Sequence, residues 1–283
     1  RTFFAQGEDY KRAHALGAAG AYRGWQRLGE NVTRYGADGA DDRDASSFSR
    51  DHHEAFDMYA EQDASSFPLG SWARGVNPWP ASPSEFEPAM RMYVSEMEAL
   101  GADVMRGLAV GLGARADAFD YALQEPFWSM RAICYPPLEP RSPGAATEGA
   151  ADGGAAAGGW EVLRTGEVPR SVPISCGEHS DYGCLTFVNQ DHAERASLQV
   201  KARDGTWIDA PPAIGADGEQ LLVMNVGDML TRWTNGRYIA TPHRVIHTSG
   251  GSVDGGSDDS ARSRISVPFF YEPSFDAVIA PLP

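Results

Sequence analysis

The sequence predicts a mainly β fold, a sandwich or jelly roll, with helices concentrated in its N-terminal part. Three observations predict this class. The 283 residues include 31 glycines and 19 prolines, which exceeds the ~12% that these two residues usually contribute and indicates many turns. A long helical repeat of apolar residues occurs at 84–112. From residue 129 onward the chain consists of short apolar or β-branched runs separated by turn residues, which is typical of successive strands.

The N-terminal region, 1–125, is predicted to be helical or mixed. Its main element is the segment 84–112, in which apolar residues recur every three or four positions and so form one face of a long helix. Ser84 and Glu87 at its start match the S-x-x-E capping box. The predicted buried face consists of Phe86, Met90, Tyr93, Met97, Leu100, Val104, Leu108 and Leu112.

The region 126–283 is predicted to form the jelly-roll domain. Two tracts within it, 141–159 and 250–260, are rich in Gly, Ala, Ser and Asp and are interpreted as flexible surface loops. The predicted strands are Met130–Tyr135, Cys184–Val188, Ser197–Lys201, Leu221–Val226, His243–Thr248 and Ile265–Tyr271.

Charge and cysteine content exclude several classes of partner. The net charge of −15 argues against nucleic acids and anionic membrane surfaces, because both require a basic face. No apolar run approaches the ~20 residues that span a bilayer. Three cysteines do not make a disulfide framework, so we expect a reducing, cytoplasmic compartment. We also expect the protein to be a monomer. The chain begins at Arg1 rather than Met, and we interpret it as part of a longer protein.

A metal site is predicted around His179 and Asp181. Residues i and i+2 of an extended segment point to the same side, so the imidazole and the carboxylate can reach one ion. His243, at the start of a later strand, is the candidate third ligand. Two histidines and one carboxylate form the facial triad of non-haem Fe(II) oxygenases. The alternative interpretation is a structural histidine beside a turn aspartate.

An anion site is predicted at Arg264 and Ser266, which share one face of a later strand. A guanidinium and a hydroxyl suit the distal carboxylate of a dicarboxylate molecule. The alternative is an exposed arginine on the strand surface.

With these elements in place, the sequence resembles the Fe(II)/2-oxoglutarate-dependent dioxygenases of the isopenicillin N synthase-like group. The resemblance covers nearly the whole chain outside the two loops. The matching stretches are 21–31, 53–59, 131–137, 179–191, 197–212, 221–247 and 262–283.

The resemblance implies a double-stranded β-helix core in which His179, Asp181 and His243 ligate iron. Arg264 and Ser266 would hold the 5-carboxylate of 2-oxoglutarate, and Tyr135 would hydrogen-bond the same co-substrate. Relatives often carry Asn two residues before that tyrosine, where this chain has Ile133.

The implied reaction uses O₂ to hydroxylate a small organic molecule, with release of succinate and CO₂. Two alternatives stay open at this stage. One is a same-fold iron oxidase that does not use 2-oxoglutarate, and the other is a non-catalytic jelly-roll protein that only binds a ligand.

Other polar and aromatic residues are interpreted as structural. Asn225 is assigned to a strand that ends in a tight turn, with a role beside the metal as the lesser alternative. The arginine at position 23 and the pair His52-His53 are assigned to the surface. The aromatic residues predicted to lie in the core are Phe187, Trp233, Phe269 and Phe270. The substrate pocket is predicted to be lined by the segment Tyr22–Trp25, by 127–135 and by residues after Ser266.

Overall fold

Strands make up most of the regular structure of this protein. The computed structural model describes residues 1–17, 22–34, 48–61, 75–137, 174–191, 197–246 and 263–282. The predicted loops 141–159 and 250–260, and His247, lie outside these described residues.

The described part of the chain contains three α-helices and fourteen strands. The helices are α1 (Glu8–Arg12), α2 (Phe86–Gly111) and α3 (Asp228–Trp233). The strands in the first half are β1 (Gly24–Gln26), β2 (Val32–Arg34), β3 (Phe48–Arg50), β4 (Glu54–Tyr59) and β5 (Pro126–Tyr135). The later strands are β6 (Ile174–His179), β7 (Leu185–Gln190), β8 (Leu198–Lys201), β9 (Trp207–Asp209), β10 (Ala213–Ile214), β11 (Gln220–Leu221), β12 (Val223–Val226), β13 (His243–Ile246) and β14 (Arg264–Ser274). Among these helices, none is both long and apolar enough to cross a bilayer.

Two antiparallel sheets form the framework of the fold. The large sheet has the strand order β1-β4-β5-β14-β7-β12, and the small sheet has the order β6-β13-β8-β9. They meet where Val245 of the small sheet packs against Ala55, Ile133 and Tyr135 of the large one. Strands from both sides of residue 126 share the large sheet. The mainly β prediction is therefore confirmed, with a jelly-roll arrangement of two facing sheets.

The two faces of the large sheet have different chemistry, because alternate residues of a strand point to opposite sides. One cross-strand row consists of Met58, Met130, Phe269 and Phe187, each at most 2% exposed. This row belongs to the main hydrophobic core. The opposite row consists of Tyr59, Ser129, Phe270, Thr186 and Asn225. We call the face that carries this second row the inner face.

Helix α2 covers the apolar face of the sheet. Its buried residues are Val94, Met97, Gly101, Met105 and Ala109, so the buried face is displaced from the predicted one. Most predicted positions flank it as partly buried residues, whereas Leu100 is 36% exposed.

The predicted capping box at the start of α2 is wrong. Glu85 is the N-cap residue and no side chain caps the helix. The carboxylate of Glu87 instead accepts a hydrogen bond from Arg91, one turn further along, at 2.8 Å. This i, i+4 ion pair replaces the contact that the capping box would make.

Gly101 allows α2 to approach strand β14 closely. A Cβ atom added at Gly101 would lie 2.6 Å from the ring of Tyr271, which is 1% exposed. We expect Gly101→Ala to destabilise the fold by about 1–3 kcal/mol, because the enclosed ring cannot move without disturbing its neighbours. The matched control is Gly107→Ala in the same helix, where a Cβ meets no atom within 4 Å. This change should stabilise by about 0.5–1 kcal/mol. Urea unfolding of both variants is the measurement, and equal effects would contradict the prediction.

Candidate metal centre and active site

His179, Asp181 and His243 are brought together where β6 ends and β13 begins. His179 is the last residue of β6, and His243 lies directly opposite it as the first residue of β13. The Nε2 atoms of the two histidines each lie 3.8 Å from Oδ1 of Asp181. The three potential ligand atoms lie within 4.8 Å of one another. The predicted triad therefore forms a cluster of the size that one metal ion requires.

Both imidazole rings are held in the orientation that a metal ligand needs. Nδ1 of His179 lies 2.7 Å from the carbonyl oxygen of Gly177, and Nδ1 of His243 lies 3.1 Å from that of Thr241. Because a carbonyl can only accept, each Nδ1 carries the hydrogen and donates it. In the neutral ring, the lone pair is thereby left on Nε2, which faces Asp181.

The Asp181 carboxylate is fixed by two residues of the inner face. Its Oδ2 atom accepts hydrogen bonds from the Thr186 hydroxyl at 2.6 Å and from the Asn225 amide at 2.7 Å. Oδ1 is left to face the two imidazoles. Asn225 thus contacts a candidate metal ligand, which agrees with the lesser alternative that the sequence offered for it. Thr186 was not singled out, and the signal available for it is a hydroxyl within an otherwise apolar strand.

Burial and polar contacts shift the pKa values of the two histidines in opposite directions. Burial disfavours the charged imidazolium in both cases. For His179, Cys176 Sγ at 3.8 Å from Nδ1, the Gly177 carbonyl and Asp181 outweigh this effect and raise the pKa to about 9. For His243, burial prevails and lowers the pKa. A divalent ion at this centre therefore competes with a proton on His179.

The donor set fits Fe(II). Two imidazole nitrogens and one carboxylate oxygen converge on one point. The other polar atom of each side chain, Nδ1 of the histidines and Oδ2 of the aspartate, is already hydrogen-bonded within the protein. This is the donor set of the facial triad, which leaves the remaining coordination positions to small molecules. His179 and Asp181 also border a cavity of about 360 Å³, so this side of the cluster is accessible.

Arg264, Ser266 and Tyr135 form a second polar cluster between β14 and β5. Arg264 lies opposite Tyr135 in the antiparallel register, and its Cζ atom is 4.1 Å from the centre of the tyrosine ring. Ser266, two residues further along the same face, is 5% exposed. Among the described residues, no carboxylate lies within salt-bridge distance of Arg264. Burial lowers the pKa of Arg264 and raises that of Tyr135 to about 12. A partly buried guanidinium in these surroundings fits an anionic ligand.

Polar and apolar groups both surround Tyr135. Ile133 is 8% exposed, packs with Ala55 and Val245, and lies opposite Ser266 in the β5–β14 register. The ring of His53 lies 5.6 Å from that of Tyr135. His53 is 2% exposed, and its Nδ1 atom lies 2.9 Å from the Ser175 carbonyl oxygen, so its assignment to the surface is wrong.

Two adjoining cavities lie along the inner face, beside the three candidate metal ligands. The second, of about 510 Å³, shares Tyr22, Tyr59, Ser129, Tyr182 and Glu272 with the first. Their walls include residues from all three stretches that the sequence predicts for a substrate pocket. Phe270 lines the first cavity, whereas Phe187, Phe269 and Trp233 are buried in the core as predicted. The assignment of the arginine at position 23 to the surface is also wrong, since Arg23 is fully buried and donates to the Ala60 carbonyl.

Comparison with known proteins decides the family. A sequence profile of the 2OG-Fe(II) oxygenase superfamily matches residues 162–273. The chain is 35% identical to the homoarginine-6-hydroxylase 2-ODD-C23 of Glycine max, with 100% of this chain and 70% of the relative aligned. This chain belongs to the 2OG-Fe(II) oxygenase superfamily. A second relative, the homoarginine-6-hydroxylase 2-ODD-C23.1 of Arabidopsis thaliana, is 34% identical to the oxygenase over 100% of this chain and 69% of the relative.

Solved structures agree with this assignment. The crystal structure of a full-length Neurospora crassa protein in complex with alpha-KG superposes on the oxygenase with a TM-score of 0.68 and 26% identity, covering 99% of this chain and 71% of that chain. The oxygenase thus has the jelly-roll fold that the sequence predicts. It uses Fe(II), O₂ and 2-oxoglutarate, so the alternatives of an oxidase without 2-oxoglutarate and a non-catalytic binding protein are both disfavoured.

Proposed function

We propose that His179, Asp181 and His243 hold the catalytic Fe(II), and that Arg264 with Ser266 and Tyr135 holds the distal carboxylate of 2-oxoglutarate. The observation that carries this proposal is the convergence of three donor atoms within 4.8 Å at the edge of a cavity. The partly buried Arg264, on the same sheet face as the cavity-lining Phe270, supports the co-substrate assignment.

In this proposal each residue of the site has a role that follows from its position. When bound, Fe(II) and 2-oxoglutarate supply with O₂ the oxidant that converts a substrate C–H bond to C–OH, with succinate and CO₂ as co-products. Thr186 and Asn225 hold the Asp181 carboxylate so that one oxygen faces the metal position. Arg264 fixes one end of the co-substrate, since a guanidinium binds a carboxylate with defined geometry. The cavity walls position the substrate and limit water beside the metal.

We further propose that the substrate is a small cationic amino acid of the homoarginine type. Two relatives that align with the whole of this chain are homoarginine-6-hydroxylases. The cavity beside the three candidate metal ligands is bordered by tyrosines and by Glu272, whereas Asp57 at the same wall is paired with Arg131. The unpaired acid and the aromatic rings suit a positively charged molecule better than an anionic one.

The test is substrate-stimulated succinate formation. Purified protein is supplied with Fe(II), 2-oxoglutarate and O₂, and L-homoarginine is compared with arginine, lysine and the neutral amino acid norleucine. We expect L-homoarginine to stimulate succinate release, with a product about 16 mass units heavier (one added oxygen atom). No stimulation by any cationic amino acid would refute the substrate assignment, whereas no succinate under any condition would refute the catalytic one.

The proposal includes a monomer that acts in a reducing compartment. The reducing compartment is supported by Cys134, Cys176 and Cys184, which are free thiols in the described part of the chain. Size-exclusion chromatography with light scattering tests the monomer directly.

A further inference from the structure

Glu272 occupies the inner face of β14 on the wall that both cavities share. It lies opposite Phe127 in the β5–β14 register, and it borders the 360 Å³ cavity beside the metal cluster as well as the outer 510 Å³ cavity. We propose that Glu272 binds the positively charged group of the substrate. This inference rests on the proposed function and adds the residue that selects for charge.

The carboxyl group of Glu272 is an unusual component of such a wall. The residue is partly buried, and burial together with the nearby Asp181 raises its pKa to about 8, although a hydrogen bond from the Cys184 amide opposes this shift. Among the described residues, no lysine, arginine or histidine lies within salt-bridge distance of it. A partly buried acid without a cationic partner costs stability, which indicates a functional reason for its position.

Other charged groups at this wall already have partners. The Asp57 carboxylate is held by Arg131, with Nε–Oδ1 at 2.6 Å and Nη2–Oδ2 at 3.2 Å. The same guanidinium also donates to Gln26. Asp181 is committed to the metal position through Oδ1 and to Thr186 and Asn225 through Oδ2. Glu272 is therefore the carboxyl group at this wall that remains available to an incoming cation.

Aromatic rings complete the surroundings of Glu272. Tyr22, Tyr59 and Tyr182 border both cavities. Tyr182 is 85% exposed and Tyr22 is 60% exposed, so both rings reach the solvent-facing side of the wall. Tyrosine faces attract ammonium and guanidinium groups. A cation beside Glu272 also restores the ionised carboxylate, because an opposite charge lowers the pKa of an acid.

A purely structural role for Glu272 makes a different prediction. Within the described part of the chain, Oε2 of Glu272 accepts one hydrogen bond, from the Cys184 amide at 3.1 Å. The carboxyl group also packs tightly against Gly183. If this contact were the whole role, Glu272→Gln would preserve it, since the amide oxygen accepts the same bond. Glu272→Gln therefore removes the charge while it keeps the shape.

The experiment measures binding to the protein loaded with Fe(II) and 2-oxoglutarate under anaerobic conditions, so that turnover is not required. Titration calorimetry compares L-homoarginine with L-homocitrulline, in which a neutral urea replaces the guanidinium. We expect Glu272→Gln to weaken L-homoarginine binding about 30-fold or more and to change L-homocitrulline binding by less than about 3-fold. The control is Glu98→Gln, because Glu98 is also a partly buried acid whose pKa is raised by burial. It lies on α2, beside the opposite face of the sheet, and its variant should bind both probes like the wild type.

Each outcome decides the inference. Unchanged L-homoarginine binding in Glu272→Gln overturns it, even where succinate formation has confirmed the proposed function. Equal loss of both probes, with an altered absorption band of the iron–2-oxoglutarate complex, also overturns it in favour of a structural role. A wild-type protein that binds neither probe overturns it as well. Binding that depends on Glu272 without succinate release supports the inference and refutes the proposed function.

Discussion

Asp181→Ala is expected to abolish turnover and to weaken Fe(II) binding by more than the ~10–100-fold that loss of a supporting contact costs at metal sites. The change removes the single anionic donor of the triad and leaves Thr186 and Asn225 without the carboxylate that they hold. Two neutral imidazoles then remain to bind a divalent ion. Anaerobic titration of the apoprotein with Fe(II), together with succinate release, measures both effects.

The control for Asp181→Ala is Asp228→Asn. The exposed Asp228 carboxylate accepts a hydrogen bond from Ser180 at 2.9 Å, and the Asp228 backbone amide donates to the Asp181 carbonyl oxygen at 2.7 Å. Asparagine can keep both bonds, so this variant removes a nearby negative charge without altering a side chain of the triad. It should retain Fe(II) affinity within about 3-fold, since exposed charges interact weakly. Full activity in Asp181→Ala would show that the metal lies elsewhere.

Arg264→Ala is expected to raise the concentration of 2-oxoglutarate needed for half-maximal turnover by about 100-fold or more. Removing one partner of a buried ion pair costs about 3–5 kcal/mol, and each ~1.4 kcal/mol corresponds to tenfold in affinity. Arg264→Lys keeps the charge but loses the planar fork and its stacking on Tyr135, so it should give an intermediate loss. Steady-state kinetics with varied 2-oxoglutarate provides the measurement.

Arg203→Ala is the matched control for the loss of a cation, because Arg203 is exposed on a turn. It should leave the 2-oxoglutarate requirement unchanged. A normal requirement in Arg264→Ala, in a variant with wild-type melting behaviour, would exclude Arg264 as the anchor of the co-substrate.

The grouping of the candidate metal ligands could be predicted in large part, because two of the three ligands are close together in the sequence. His179 and Asp181 are two residues apart in an extended segment, and this spacing alone places them on one side. Arg264 and Ser266 follow the same rule. His243 could be named as a candidate from its place at the start of a later strand, but its position beside the first pair depends on the pairing of β6 with β13, which the sequence does not state.

The contacts of the supporting residues could not be predicted, because they depend on pairing between strands that are distant in sequence. Thr186 and Asn225 reach Asp181 through the register of β7 and β12, which depends on pairing between distant segments. The polarity of the sequence also gives the wrong location for His53 and Arg23. A histidine or arginine in a segment of mixed polarity is usually exposed, whereas both residues are buried. Their burial depends on the second sheet and on neighbouring backbone carbonyls.

The helix α2 shows a similar limit in the fold itself. Its length is predicted to within a few residues, because periodic apolar residues set it. Its buried face is displaced because Gly101, which carries no side chain to mark it as apolar, is the point of closest approach to Tyr271.

Strand β14 sets the spacing of the side chains along the inner face, which borders both cavities. It is paired without a register shift from Arg264 to Glu272, so about eight residues at ~3.3 Å each set a span of about 26 Å between the two ends of the inner face. Removing one residue between them would turn every later side chain over and bring Glu272 to the apolar face beneath α2. The spacing between Arg264 and Glu272 is therefore set by a continuous strand rather than by adjustable loops.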